Sequence, residues 1–263
     1  MAIISTDPTA VYLPALAGGR VDAILALFGA DPVIDDPRAG RVVGREAAVE
    51  FVASQAKWMR DHSVEFEPIR TTVGRGLSVS ESLARLTVDG KRTELPFAVV
   101  GDESRGESGG GLREIRVYHS NWPLEGRHRL RPPIIPEDRS LVLPDIVADY
   151  MAALESGNLA GSVSVFEPTG YFREPSGGVN IYRGPDGIRE VYRAFFAVGG
   201  IHLRHCSVID DGVACGVEFI ADGWGPRPFQ PQAGIGVYER GPSGKLAGAR
   251  VYDDVDVDLG LRS

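Results

Sequence analysis

The chain has 263 residues, 43% of them apolar and 24% charged, with a formal charge of -8 at pH 7. These values suit a soluble globular protein of two common-sized domains, and no stretch gathers Lys and Arg on one face, which argues against nucleic acid as a partner. No apolar run reaches the length of a membrane span, and the first ten residues lack a basic-then-apolar leader, so the expected compartment is the cytoplasm with no membrane partner.

Apolar positions at Val11, Leu13, Leu16, Val21, Ile24, Leu25, Leu27 and Phe28 predict a helix over residues 9–28. Gly18-Gly19 should break it, because paired glycines disfavour a continuous helix. Val33-Ile34-Asp35-Asp36-Pro37 reads as one of a short pair of strands, ended by a proline turn. Gly44-Arg45-Glu46 opens a helix through about residue 59, with Ala47, Ala48, Phe51, Val52 and Trp58 as its apolar stripe. Strands follow near 63–73, 77–88, 93–100 and 112–119, the last two separated by a glycine-rich insert at 104–111.

Residues 123–144 hold five prolines and read as a semi-extended linker, with Arg127-His128-Arg129-Leu130-Arg131 as a solvated charge run. The order then repeats. Residues 144–166 are helical, interrupted at Ser156-Gly157-Asn158; 171–174 and 179–183 pair as short strands. A helix runs from Pro185 to about residue 197, and four strands fit 201–209, 213–222, 230–239 and 245–253. Helices grouped before strands imply an α+β fold.

The repetition extends to single residues. Residues 12–40 align without a gap on 150–178, sharing Tyr12/Tyr150, Ala15/Ala153, Leu16/Leu154, Gly19/Gly157, Phe28/Phe166, Pro37/Pro175 and Gly40/Gly178. Each copy sets a Tyr 24 positions before a carboxylate that precedes Pro, Asp36 in one and Glu174 in the other. Arg116-Val117-Tyr118 is answered by Arg250-Val251-Tyr252. A period near 138 residues is the size of a whole domain, so the chain is a tandem duplication. The domains expected are 7–122 and 144–259, with 123–143 as linker.

The motif Tyr-x3-Leu-x2-Gly around Tyr12, the strand ending Asp36-Pro37, the helix opening Gly44-Arg45-Glu46 and the strand Arg116-Val117-Tyr118-His119 together resemble the nuclear-transport-factor-2-like superfamily. Within it, the likeness is to the SnoaL-like and ketosteroid-isomerase-like branch. The resemblance implies two tandem cone-shaped α+β barrel domains, each a curved antiparallel sheet wrapped around N-terminal helices, with an apolar pocket inside. It also implies that the halves pair as an intramolecular pseudo-dimer or that the chain forms a homodimer.

By the same resemblance, a helix-1 Tyr donates to a developing oxyanion and a carboxylate before Pro shuttles the proton, which assigns Tyr12 with Asp36 and Tyr150 with Glu174. The isomerase's second acid falls on Phe97 and Gly234, neither of which can donate. SnoaL-like cyclases carry an Asp after an aromatic residue on the final strand, matched by Tyr252-Asp253 and, in the first half, by Tyr118-His119. Tandem polyether epoxide hydrolases add a carboxylate on the first long strand. Glu65 or Glu67 fits that position, on one face of the strand by alternation.

The catalytic candidates are therefore Tyr150, Glu174, Asp253, Tyr12, Asp36, His119 and Glu65. The substrate-binding candidates are Glu218, Trp224, Gln232, Phe97, Trp58 and Tyr252. The second half is favoured, since Tyr150, Glu174 and Asp253 satisfy two family patterns at once. Carboxylates working as bases near neutral pH need an apolar surround. No metal site is expected, because His202 and His205 fall on opposite faces of a strand and no third ligand has a familiar spacing. No phosphate-cradling glycine loop is present, so no cofactor is expected. Cys206 and Cys215 read as small buried hydrophobes, although their positions across a hairpin permit a disulfide.

The functional expectation is a cofactor-free acid/base enzyme for a small apolar molecule, performing cyclisation, isomerisation, dehydration or epoxide opening. The alternative is a non-catalytic binding or scaffolding protein of the same fold.

Overall fold

In the computed structural model, which describes residues 7–29, 31–103, 111–176 and 180–255, the first helix begins at a side-chain cap. Asp7 accepts a 2.9 Å hydrogen bond from the Thr9 backbone N–H, and Pro8 fills the first turn of α1, Pro8–Ala17. The predicted break follows: Gly19 adopts φ +62 before α2, Val21–Leu25. β1, Val33–Asp36, and β2, Gly40–Val43, form a hairpin ahead of α3, Arg45–Asp61. The strands β3, Glu65–Gly74, β4, Leu77–Val88, β5, Lys91–Asp102, and β6, Glu114–Tyr118, complete a sheet ordered β2-β1-β6-β5-β4-β3. A single turn, α4, Trp122–Glu125, ends this unit, which spans Met1–Gly126. Its core packs Tyr12, Leu13, Leu16, Phe51, Val52 and Met59 from the helices against Ile34, Leu95, Phe97, Val99, Ile115 and Val117 from the sheet. Each large apolar side chain buried there contributes roughly 1.5–3 kcal/mol of transfer free energy.

The second unit, Arg127–Ser263, repeats the plan. α5, Asp145–Ser156, ends at Gly157, whose φ of +64 copies that of Gly19, and α6, Leu159–Ser164, resumes. β7, Phe166–Arg173, and β8, Ile181–Arg183, precede α7, Gly184–Phe195. β9, Ile201–Asp210, β10, Ala214–Trp224, β11, Arg227–Arg240, and β12, Leu246–Asp253, give the matching order β8-β7-β12-β11-β10-β9. No helix among the described residues is long and apolar enough to cross a membrane.

Several details differ from expectation. Each sheet is mixed: β1 and β6 run parallel, Ile34 opposite Ile115, as do β7 and β12, Phe172 opposite Ala249. A crossover of several elements separates the members of each pair, which is what parallel pairing requires. The helix predicted through 166 stops at Ser164, because Phe166 pairs with Leu246 and tertiary pairing overrides a helix-compatible pattern. The proline-rich stretch is no solvated tether. The His128 ring and the Arg129 N–H donate to Asp254 at 2.8 and 2.7 Å, and Arg131, 8% exposed, accepts from the Ala233 N–H through its carbonyl. Cys206 and Cys215 are free thiols, and burial pushes the Cys215 thiol up to about 12. The insert at 104–110, the positions 177–179 (including Gly178) and the acidic tail from 256 lie outside the described residues.

Candidate functional site

The first unit gathers its matched pair around a cavity. Tyr12 sits on the inner face of α1 with 0% exposure, and its hydroxyl has no hydrogen-bond partner among the described residues. A buried hydroxyl left unsatisfied costs about 1–3 kcal/mol, so this one is conspicuous. Asp36, the last residue of β1, is also buried. Its Oδ1 accepts 2.9 Å hydrogen bonds from the Arg38 and Ala39 N–H groups, which close the turn after Pro37. Both bonds go to one oxygen, and among the described residues Asp36 makes no ion pair. Burial, and then the Asp36 charge, hold the Tyr12 phenol well above the ordinary tyrosine range, so it stays a donor.

α3 contributes Gln55, Trp58 and Met59 to the cavity wall, β5 contributes Phe97, and β6 leads into His119. Phe97 and His119 lie 4.7 Å apart between ring centres, and the His119 Nδ1–H donates to the Ser120 carbonyl at 3.1 Å. Leu124 of α4 closes another side. At the mouth, the Arg38 guanidinium carbon lies 4.3 Å from the centre of the Trp58 ring. The space enclosed, open mouth included, is about 360 Å³, of which about 20 Å³ admits the centre of a water molecule. Arg38, Gln55, Met59 and Leu124 were not singled out from the sequence. For Arg38 a signal existed, its position two residues beyond the Asp36 carboxylate.

The second unit treats the same residues differently. Tyr150 is equally buried, yet its hydroxyl is bonded to that of Tyr192 on α7. Burial raises both phenols, and Tyr192 feels the charge of Glu174. Glu174 accepts a 3.3 Å bond from the Tyr182 hydroxyl, and desolvation lifts its carboxyl above the usual range. Asp253 is pushed up to about 7, chiefly by the protein packed around it, although the residue keeps part of its surface exposed. It shares a face with Tyr238, Gly234 and Gln232, and the Gln232 Oε1 is buried without a partner among the described residues. The space facing the β11 glycines is filled from within. A Cβ at Gly234 would lie 2.6 Å from the Phe219 ring, and one at Gly236 would lie 2.0 Å from the Tyr238 hydroxyl.

Comparison of the helices explains the contrast. The buried residues of α3 include Ala48, Phe51 and Val52, and those of α7 are Ile188, Val191 and Tyr192. The spacing is the same, so Tyr192 occupies the position held by Val52. A phenol replaces an isopropyl group and meets the duplicated tyrosine.

Four candidates stand away from these clusters. Phe66 packs on Phe97 at 5.6 Å, so alternation turns Glu65 and Glu67 outward, where they pair with Arg92 and Arg85. Glu65 is therefore a surface residue. Val217 belongs to the core, which sends Glu218 to the opposite face, where it accepts from the Ser207 hydroxyl at 2.6 Å. On β12, Ala249 and Val251 pack inward with Asp253, leaving Tyr252 on the far face to accept from Arg173 at 2.5 Å. The Trp224 Nε1–H donates to the Phe195 carbonyl at 2.7 Å, so that indole anchors the end of α7. His202 donates to the Gly225 carbonyl, and no group of three metal-binding side chains converges among the described residues.

The chain belongs to the SnoaL-like domain family, whose profile matches residues 10–105 and again 147–248. Solved structures with the fold match over one half-length at a time. A cystatin-fold protein from Novosphingobium aromaticivorans is 17% identical over 40% of this chain and 93% of its own, with a TM-score of 0.36. A protein of ketosteroid-isomerase-like fold from Catenulispora acidiphila, solved with trimethylamine, is 17% identical over 46% and 93%, TM-score 0.38. The epoxide hydrolase/cyclase-like enzyme SalBIII, of pyran ring formation in salinomycin, is 22% identical over 42% and 85%, TM-score 0.33. No curated protein matches the sequence.

Proposed function

We propose that the cavity of the first unit is the working site, and that it performs cofactor-free general acid/base chemistry on a small, largely apolar molecule. The observation that carries this reading is the Tyr12 hydroxyl, fully buried, without a partner, beside a carboxylate that makes no ion pair among the described residues. A ligand oxygen satisfies that hydroxyl. Asp36 then removes a proton from the carbon next to a ligand carbonyl, while the Tyr12 O–H donates to the oxygen as it gains charge. One such donor is worth about 10²–10³ in rate. His119, next to Phe97 on the cavity wall, is a second proton carrier for returning the proton elsewhere on the ligand.

Isomerisation, dehydration and aldol-type ring closure all use this proton traffic. Epoxide opening has less support, since Glu65 is exposed and ion-paired with Arg92. The second unit fits a supporting role, because Tyr192 already satisfies Tyr150. The test is turnover by the full chain against polyketide, steroid and terpene-epoxide panels, repeated with Asp36→Asn and Tyr12→Phe. Conversion that falls about 10²-fold or more in both variants supports the reading. Binding without conversion, unchanged by Asp36→Asn, overturns it in favour of a non-catalytic binder.

A further inference from the structure

The far face of the second sheet carries positive charge that its described neighbours do not balance. Phe172 and Tyr182 pack into the core of the second unit, so alternation sends Arg173 of β7 and Arg183 of β8 to the opposite face. Arg173 is 6% exposed, and its Nε is buried without an acceptor among the described residues. Its Nη2 donates to the Tyr252 hydroxyl, and its guanidinium carbon lies 5.0 Å from the centre of that ring; both contacts are to a neutral group. Arg183 is exposed on the edge strand of the sheet, 5.3 Å from the centre of the Tyr171 ring. Neither arginine makes an ion pair among the described residues. Arg250 already holds Glu239 at 2.9 Å, and Glu174 bonds Tyr182 on the core side. We propose that Arg173 and Arg183 form a binding site for a phosphate group, built wholly from residues of the second unit.

The first unit shows how the same position is neutralised. Arg173 stands where that unit has Asp35, and their cross-strand partners are Ile181 and Arg41. Arg41 lies 3.8 Å from Asp35 and 2.7 Å from Glu114, so its charge is paired twice. The second unit has lost both carboxylates. Asp35 is answered by Arg173, and Glu114 by Gly248, where an added Cβ would lie 2.8 Å from the Tyr171 ring. Val43 is answered by Arg183. A guanidinium buried without a counter-charge is costly, and a bound anion offsets that cost. Across the β7–β8 pair Tyr171 faces Arg183 and Arg173 faces Ile181, so the two arginines are diagonal neighbours with Cβ atoms about 7–8 Å apart. One tetrahedral anion bridges two side chains of that length. Two positive charges match a phosphate group, which carries about −1.5 to −2 at pH 7 on three acceptor oxygens, better than the single charge of a carboxylate.

The test is calorimetric titration of the full chain at constant ionic strength with inorganic phosphate, phenyl phosphate and acetate. At least one phosphate should bind with a dissociation constant below about 1 mM, and acetate about ten-fold more weakly or worse. Tighter binding of phenyl phosphate assigns the site to the phosphate end of a larger molecule, and tighter binding of inorganic phosphate to the free ion. Arg183→Gln, at an exposed position, should weaken phosphate about ten-fold. Ile181→Asp sets a carboxylate opposite Arg173, as Asp35 is set opposite Arg41, and should abolish binding while circular dichroism stays native. Absence of binding by both phosphates, acetate binding as tightly as they do, or affinity indifferent to Arg183→Gln and Ile181→Asp overturns the proposal. So does an affinity that falls with Tyr12→Phe, which would put the anion in the first unit's cavity instead.

Discussion

The Tyr150 hydroxyl is bonded to the Tyr192 hydroxyl, while Tyr12, its duplicate, has a buried hydroxyl with no partner among the described residues. The two substitutions to Phe should therefore act in opposite ways. Tyr150→Phe strands the Tyr192 hydroxyl and should destabilise by about 1–3 kcal/mol. Tyr12→Phe removes a group that was already unsatisfied, and should be neutral or stabilising by up to about 1 kcal/mol. Urea denaturation of the ligand-free variants reads both, and a larger loss for Tyr12→Phe would contradict the assignment.

Asp36 and Glu65 separate two chemistries. Asp36→Asn should lower turnover by about 10²–10⁴ with ligand affinity little changed, because it removes the proton acceptor and keeps the shape. Glu65→Gln should leave turnover as it was and shift stability by less than about 0.5 kcal/mol, the usual effect at an exposed ion pair. Rates that drop with Glu65→Gln would restore the epoxide-opening mechanism.

Asp253 should leave a mark on stability against pH. Its folded pKa is raised to about 7 by desolvation, so the fold binds this proton more tightly than the unfolded chain does. Its contribution is fully present below the unfolded value, near 4, and is lost as pH rises through about 7. Asp253→Asn should flatten the wild-type decline between about pH 4 and 7, a difference on the order of 2–4 kcal/mol. Glu174, also raised, keeps a smaller slope of the same sign in the variant. Chemical denaturation at several pH values measures it; identical slopes in both proteins would refute the buried placement.

The glycine at 234 should resist even the smallest side chain. A methyl there meets the Phe219 ring at 2.6 Å and the Asp253 Cβ at 2.9 Å, and Phe219 is itself buried. Gly234→Ala should cost about 1–3 kcal/mol by overpacking, visible as a lower denaturation midpoint.

Much of the fold was legible because its signals are local. Gly18-Gly19 and Ser156-Gly157 marked helix breaks that need a positive φ, and the apolar stripe of α3 fell at helical spacing. The matched tyrosines were legible by duplication. Facing was harder. Alternation put Glu65 and Glu67 on one side, but only Phe66 between them, packed on Phe97, tells which side that is. Glu218 and Tyr252 misled for a related reason: both faces of their strands are buried, so hydrophobicity carries no direction. The plugging role of Tyr192 required comparing two helices position by position, with Val52 as the counterpart.

Because Tyr12 and Tyr150 are copies of one residue in unequal surroundings, every molecule contains its own reference arm. Among the described residues one of these two phenols lacks a partner and the other has one, so titrations with a ligand that seeks such a group should saturate at one equivalent. Tyr192→Val, which writes the first helix's residue into the second, should raise that number toward two. The unequal state of one duplicated hydroxyl would then come down to the side chain at position 192 beside it.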